Sequence, residues 1–430
     1  MSTASGDLMA DYALLPDRVW DGQADEARAG QAVVVRDGTI ASLCAPAQVP
    51  ADVERVGLAG CTLLPGLLDL HVHYSAAMGP AFLAAGVTTI RDVGNDLAWI
   101  LAQRSRHAAQ PAAGPAIHCC GHLLDGDPAS WPRMGRAHGS PAALRASVGE
   151  HVAAGVDAIK LYAGLDLAML GAGIEAAHGA GLFVVAHLGG VTAEEAARAG
   201  LDELEHLAGC GPAWREATAA EDDAAIDALL EHDVVIDPTL VVWDRLGRIL
   251  DRPFHHDARR RWVHPCHLDI WNRYRSRFGP PEDRLRLQRP VPHMKRFLRR
   301  AHERGVTVAL GTDTPFPHLV PGASVQDELA MYVDAGLRPV DALRCATSVN
   351  AGILGAGNRI GAVAPGMQAD LVAVRGNPLE RIEDVGQVEC AIRSGCRFSP
   401  AQLLAAARES FGVVPQDAVT QDLLEYVNRP

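Results

Sequence analysis

Six residues of this sequence have types and positions suited to chemistry: His71, His73, Lys160, His187, His206 and Asp313. The first two end an apolar run in LLPGLLDLHVHYSAAMGP, Leu63 to Pro80. Alternation along a strand puts two residues one apart on the same face, so both imidazoles project together from a strand tip. Lys160 lies inside the apolar run DAIKLYA, where an ammonium is costly to bury unless it is paired, neutralised or chemically altered. His187 ends FVVAH, His206 ends ELEH, and Asp313 follows ALGT. Imidazoles and a carboxylate suit a borderline divalent ion such as Zn2+. Four histidines, an aspartate and a modified lysine are too many ligands for one tetrahedral ion and suit two ions sharing a bridge. A lysine carbamylated by CO2 would supply that bridge as an anion.

The elements that must position these groups alternate. Strand-like runs occur at LLDLHVH, GVTTIRDVG, PAIHCCGH, VDAIKLYA, LFVVAHL, LDELEHL, VVIDPTL and VTVALGTDT, with amphipathic helical stretches between most of them. Gly155, Gly181, Gly200 and Gly305 close several of those stretches, as left-handed helix ends require. Eight such repeats predict an α/β chain built on a distorted (β/α)8 barrel, whose reactive groups sit at the C-terminal strand ends. All six residues fall there. Strand-like segments at both termini, with an Asp37-Gly38 hairpin signal, predict a small β-sandwich built from both chain ends. The expected division is 1–64 with 360–400 for that β unit, 65–359 for the catalytic barrel, and 401–430 for a C-terminal helical tail that could cap the barrel or meet another subunit. Residues 244–300 read as a basic, Trp-rich helical insertion able to act as a lid, in which His264 and His267 are ordinary helical surface.

Composition narrows the partners. With 39 Lys and Arg against 52 Asp and Glu, the net charge of −13 argues against nucleic acid or an anionic membrane and leaves a small-molecule substrate. No leader-like start or membrane-length apolar run is seen, and nine scattered cysteines without a CxxC pair read as reduced thiols, so a cytoplasmic location is expected. GAGIEA lies within a helical run and GAGNRIG follows a helix, so neither is a phosphate loop. No G-x-S-x-G nucleophile elbow is present.

The chain resembles the amidohydrolase superfamily, within it the branch of prolidase-like Xaa-Pro and Xaa-Arg/Lys dipeptidases, imidazolonepropionase-like hydrolases and ochratoxin-type amidases. The likeness rests on PGLLDLHVH, GVTTIRDVG, GVDAIKLYAG, AHLGG, DPTL, LGTDT, CATSVNAGILG and GAVAPGMQADLVAVRGNPLERI. It implies that His71, His73 and Asp313 hold a more buried metal and His187 and His206 a more exposed one. Carbamylated Lys160 and a hydroxide would bridge the two, with Zn2+ the best-suited ion.

The implied reaction is metal-dependent hydrolysis of a C–N amide bond in a dipeptide, N-acyl amino acid or related small amide, with Asp313 moving the proton. Tyr162 shares the Lys160 face and could donate to the substrate, and His318 matches a substrate-contacting position of the family. Arg91 could clamp a substrate carboxylate or pair with Asp92 or another neighbour. Lactone, ester or phosphotriester hydrolysis, or a lyase, cyclase or isomerase reaction, would use the same groups, because fold does not fix function. A catalytically dead metal-binding or regulatory protein is a reading from another class, against which the intact set of six argues.

Overall fold

The computed structural model describes residues 11–210, 217–249, 256–277 and 290–428. Parts of the 244–300 insertion, and residues 1–10 at the start of the chain, lie outside that description.

Strands from both ends of the chain meet in one mixed sheet of eight strands. Strand Glu54–Pro65 is its spine, parallel to Tyr12–Val19 and antiparallel to Leu371–Arg375. Asp37 and Gly38, with φ of 48° and 74°, make the tight turn between Ala32–Arg36 and Thr39–Cys44, as their pairing in sequence predicts. These strands form one continuously hydrogen-bonded sheet, where two separate sheets were expected; it curls until distant strands meet, with Tyr12 Oη donating to Gly395 O at 2.8 Å and Thr39 bridging Gln368.

Gly66 carries the chain from this sheet into the catalytic layer. A Cβ there would lie 2.2 Å from Thr88 Oγ1, so only glycine passes. Beyond it, strands Leu67–Val72, Val87–Asp92 and Ala116–Cys119 form a parallel sheet of three. Gly135–His138, Leu123–Gly126, Ala158–Leu161, Phe183–Ala186, Glu203–Glu205 and Val235–Asp237 form a parallel sheet of six. Most of their residues are buried, and strands such as Leu67–Val72 and Phe183–Ala186 are largely apolar for that reason. Helices between the strands start at conventional caps: Asp96, Ser140 and Asp166 accept from the first-turn amides, and Thr192 and Thr218 form capping boxes with Glu195 and Glu221.

The two parallel sheets do not join into a continuous eight-stranded ladder among the described residues. The eighth strand-like run, residues 306–314, instead spans between them through single contacts. Ala309 N donates to Ile236 O at 2.8 Å, Leu70 N to Leu310 O at 3.0 Å, and His73 N to Thr314 O at 2.8 Å. Its ladder is interrupted because the backbone turns at Asp313, whose φ is 65°. Among the described residues no helix is long and apolar enough to cross a membrane.

Arg91 is fully buried between the strands. Its guanidinium is bidentate on Glu203, with Nη1–Oε2 at 3.0 Å, and its Nε donates to Leu70 O at 2.9 Å. The partner is therefore Glu203, and the group is not turned toward a substrate. Arg91→Met would strand the Glu203 carboxylate in the core and should cost about 3–5 kcal/mol of stability. Urea unfolding measures this, and an unchanged midpoint would show that the pair carries no such weight.

Candidate metal centre

The six residues named from the sequence converge at one end of the parallel sheets. Strand Leu67–Val72 delivers His71, and His73 follows it; their rings lie 5.7 Å apart on the same side. His71 Nε2 and His73 Nε2 both approach Asp313 Oδ1, at 3.5 and 3.4 Å. His73 is turned that way by its other nitrogen, 3.2 Å from Gly94 O; a carbonyl accepts only, so Nδ1 carries the proton and Nε2 presents its lone pair. His206 is oriented by Thr239 Oγ1, 2.6 Å from its Nδ1. Its ring stands 4.6 Å from those of both His71 and His187.

Asp313 is held by polar groups further down the sequence and across the fold. Asp69, two residues before His71, accepts from Thr312 N at 3.0 Å and from Thr312 Oγ1 at 2.7 Å. Burial raises the Asp69 carboxyl to about 7. Asn350 accepts from Leu310 N and donates to Leu68 O and Leu310 O. Gly311 lets this segment close on the first strand, because a Cβ there would meet Asp237 Oδ2 at 2.2 Å and His71 Cβ at 2.4 Å. Three site or near-site residues outside glycine, His206, Thr239 and Asp313, carry positive φ, a strain typical of backbone shaped to aim a side chain.

Lys160 is 1% exposed and its Nζ is in contact with Glu205 Oε2. Glu205 was missed in the sequence, although ELEH signals it: Glu203 and Glu205 alternate onto one face of a buried strand. Its other oxygen lies 3.1 Å from His71 Nδ1, without the alignment of a hydrogen bond. Burial brings Lys160 down to about 7. Burial, reinforced by Lys160, takes His71 well below its ordinary value and His187 to about 3; His206 is also driven well below, by burial first and then by His187. Those three imidazoles are neutral at pH 7, the state in which they bind a metal.

The donor set fits divalent cations. The ligand atoms of His71, His73 and Asp313 lie within 4.8 Å of one another, as do those of His71, Glu205 and His206. Asp313 Oδ1 is buried with no hydrogen-bond partner among the described residues and faces Nε2 of His71 and His73. A buried carboxylate oxygen is rarely left so, and a cation is the partner its charge calls for. Among the described residues no such cluster forms at His264 and His267, which are buried, where helical surface was expected; their ring centroids are 6.3 Å apart and His267 Nε2 lies 3.1 Å from Thr420 Oγ1.

The amidohydrolase family profile matches residues 62–396. The chain belongs to the amidohydrolase family. This amidohydrolase is a hydrolytic enzyme acting on carbon–nitrogen bonds. Solved structures share its fold. A Xaa-Pro dipeptidase with methionine in its active site aligns with TM-score 0.71 at 22% identity, covering 91% of this chain and 100% of that one. A bottromycin amidohydrolase aligns with TM-score 0.75 at 24% identity, over 96% and 94% of the two chains. The A. niger ochratoxinase aligns with TM-score 0.67 at 19% identity, over 91% and 96%. No curated protein sequence matches the chain significantly.

Above the ligands of this amidohydrolase lies a cavity of about 190 Å³, lined by His71, His73, His187, His206 and Asp313 below and by aromatic and aliphatic side chains around. Tyr162 is in that wall, its ring 4.9 Å from His187. Trp131 Nε1 donates to its hydroxyl oxygen at 3.2 Å. His318 is not in the wall: its Nδ1 accepts from Arg260 Nη1 at 3.1 Å, and its ring lies 5.6 Å from Trp271.

Proposed function

We propose that this chain is a metal-dependent hydrolase of an amide bond in a small substrate. The observation that carries the reading is the convergence of His71, His73, His187, His206 and Asp313 on one cavity, with Lys160 and Glu205 buried beneath. His71, His73 and Asp313 would hold one ion and His187 and His206 another, with Lys160 between them as a CO2-derived carbamate. When bound, Zn2+ ions would acidify a water and polarise the scissile carbonyl. Asp313, at the cavity floor, takes the proton of the attacking water and returns it to the leaving amine. Tyr162 keeps its proton, because burial pushes the phenol up. Since Trp131 already donates to its oxygen, the Tyr162 hydrogen is left to reach the substrate carbonyl. The cavity excludes bulk water and fixes the amide over these groups.

A second reading has one observation in its favour. The contact between Lys160 and Glu205 is what an unmodified ammonium would make, and a single ion on His71, His73 and Asp313 would then suffice. Metal counting together with native mass separates the two: two ions and the mass of one CO2 for the carbamate, one ion and no added mass for the ion pair. In either case, dialysis against a chelator should abolish turnover and added Zn2+ should restore it. Turnover unchanged after the metal is gone would sink the metal-dependent reading.

The same proposal takes residues 65–359 as a distorted (β/α)8 catalytic unit and 1–64 with 360–400 as its companion. The cysteines, all free, agree with a cytoplasmic setting. The names of the solved neighbours, a Xaa-Pro dipeptidase and a bottromycin amidohydrolase among them, favour an amide over a lactone or phosphotriester. Amides with a free carboxylate, as in a dipeptide or N-acyl amino acid, and amides flanked by neutral groups are both compatible with the catalytic groups alone.

A further inference from the structure

We infer that the substrate is an amide flanked by a neutral aromatic or bulky apolar group, and that a free carboxylate beside the scissile bond is disfavoured. The inference rests on the amide-hydrolase reading and narrows its substrate. Apart from the metal-site residues, the cavity is walled by Trp131, Tyr162, Val242, Trp243, Leu246 and Phe316. Among the described residues no lysine or arginine lines it. Three arginines of the surrounding elements are paired with carboxylates. Arg91 is locked on Glu203, Arg133 on Asp422 and Glu425, and Arg245 on Asp244 and Asp327. Arg260 faces His318 and the Trp271 ring.

A carboxylate entering this wall would lose its hydration and meet no cation there. Among the described residues its only counter-charge would be the metal ions themselves, where the scissile carbonyl must sit, so an acid bound that way would compete with the amide. Flat apolar groups, by contrast, gain from burial and from offset or edge contacts with the rings.

The wall is also built to keep its shape. Trp131 packs edge-on to Phe316 at 6.0 Å and against Tyr426 at 5.6 Å, and Tyr426 stacks on Tyr274 at 5.0 Å. Tyr426 belongs to the terminal helix Ala418–Asn428, and Tyr274 to helix Pro265–Arg277 of the insertion. The terminal helix is pinned where Asp422 accepts from Arg133 N and Met134 N, and where Asp417 just before it accepts from Ser75 Oγ at 2.7 Å. The two elements read from sequence as tail and lid thus brace the specificity wall from outside.

A matched pair tests the inference. N-benzoyl-2-phenylethylamine and N-benzoyl-phenylalanine share both aryl groups and the amide, and differ by one carboxylate. The metal-loaded enzyme should hydrolyse the neutral member with kcat/KM at least about tenfold higher. An equal rate, or preference for the acid, would overturn the inference. Trp243→Arg, at a half-exposed wall position, should shift the ratio toward the acid by about tenfold; an unchanged ratio in a folded variant counts against the wall as the selector. Calorimetric binding of both compounds to Asp313→Asn keeps the two ideas apart. Tighter binding of the neutral compound without any turnover by the native enzyme would retain the wall and sink the hydrolase reading. Turnover with preference for the acid would do the reverse.

Discussion

Asp313→Asn should leave a folded protein that keeps part of its metal, with a kcat lowered by about 10³-fold, within the range that a positioned acid–base group contributes. The fold should survive because the turn carrying Asp313 does not depend on its carboxylate. Asp313 N donates to His71 O at 2.8 Å, and the preceding Thr312 is fastened to Asp69 by its amide and its hydroxyl. The backbone at residue 313 has φ 65°, a conformation asparagine adopts at little cost. Asparagine retains an oxygen near His71 Nε2 and His73 Nε2, so ligation survives in part. It cannot take up and return a proton. Thermal unfolding, elemental analysis and steady-state rates on one preparation check the three parts. Near-native turnover would remove Asp313 from proton transfer, and loss of metal would mean that it acts chiefly as a ligand.

The legible part of this site is the part that depends on local pattern. His71 and His73 are read as a same-side pair because strand alternation is local, and the structure directs both at Asp313. Lys160 stands out because a lysine in an apolar strand is costly. What could not be read is who meets whom across the fold. Arg91 looked available to a substrate until Glu203, 112 residues away, proved to hold it. Asp69 and Asn350 gave no local sign of bracketing the Asp313 turn, since their partners at Thr312 and Leu310 lie 243 and 40 residues off. Glu205 is marked by ELEH, but its partners Lys160 and His71 lie far off in sequence and leave no local sign. Parallel strands occur where expected, with Leu123–Gly126 and Gly135–His138 in addition, but no closed barrel forms among the described residues: the 306–314 run makes only isolated bridges, which strand-like composition does not reveal. Tyr426 and Trp131 show the same limit: their contact joins a tail to a loop and follows from packing alone.

Lys160→Ala is the substitution that separates the two accounts of the lysine. In either account it empties a fully buried space and the metal should bind weakly; in the ammonium account it also leaves the buried Glu205 carboxylate unpaired, at a cost of about 3–5 kcal/mol of stability. The rescue differs in sign. If Lys160 acts as a carbamate, the missing element is an anionic bridge, and formate or acetate added at high concentration should restore part of the metal content and activity. If Lys160 acts as an ammonium on Glu205, a carboxylate would only add a second negative charge beside the first. Then methylammonium or ethylammonium should restore stability and acids should not. Metal content, the urea midpoint and turnover measured with each additive decide between them. Full activity of the untreated variant would refute both, and would leave His71, His73, His187, His206 and Asp313 as the whole of the working site.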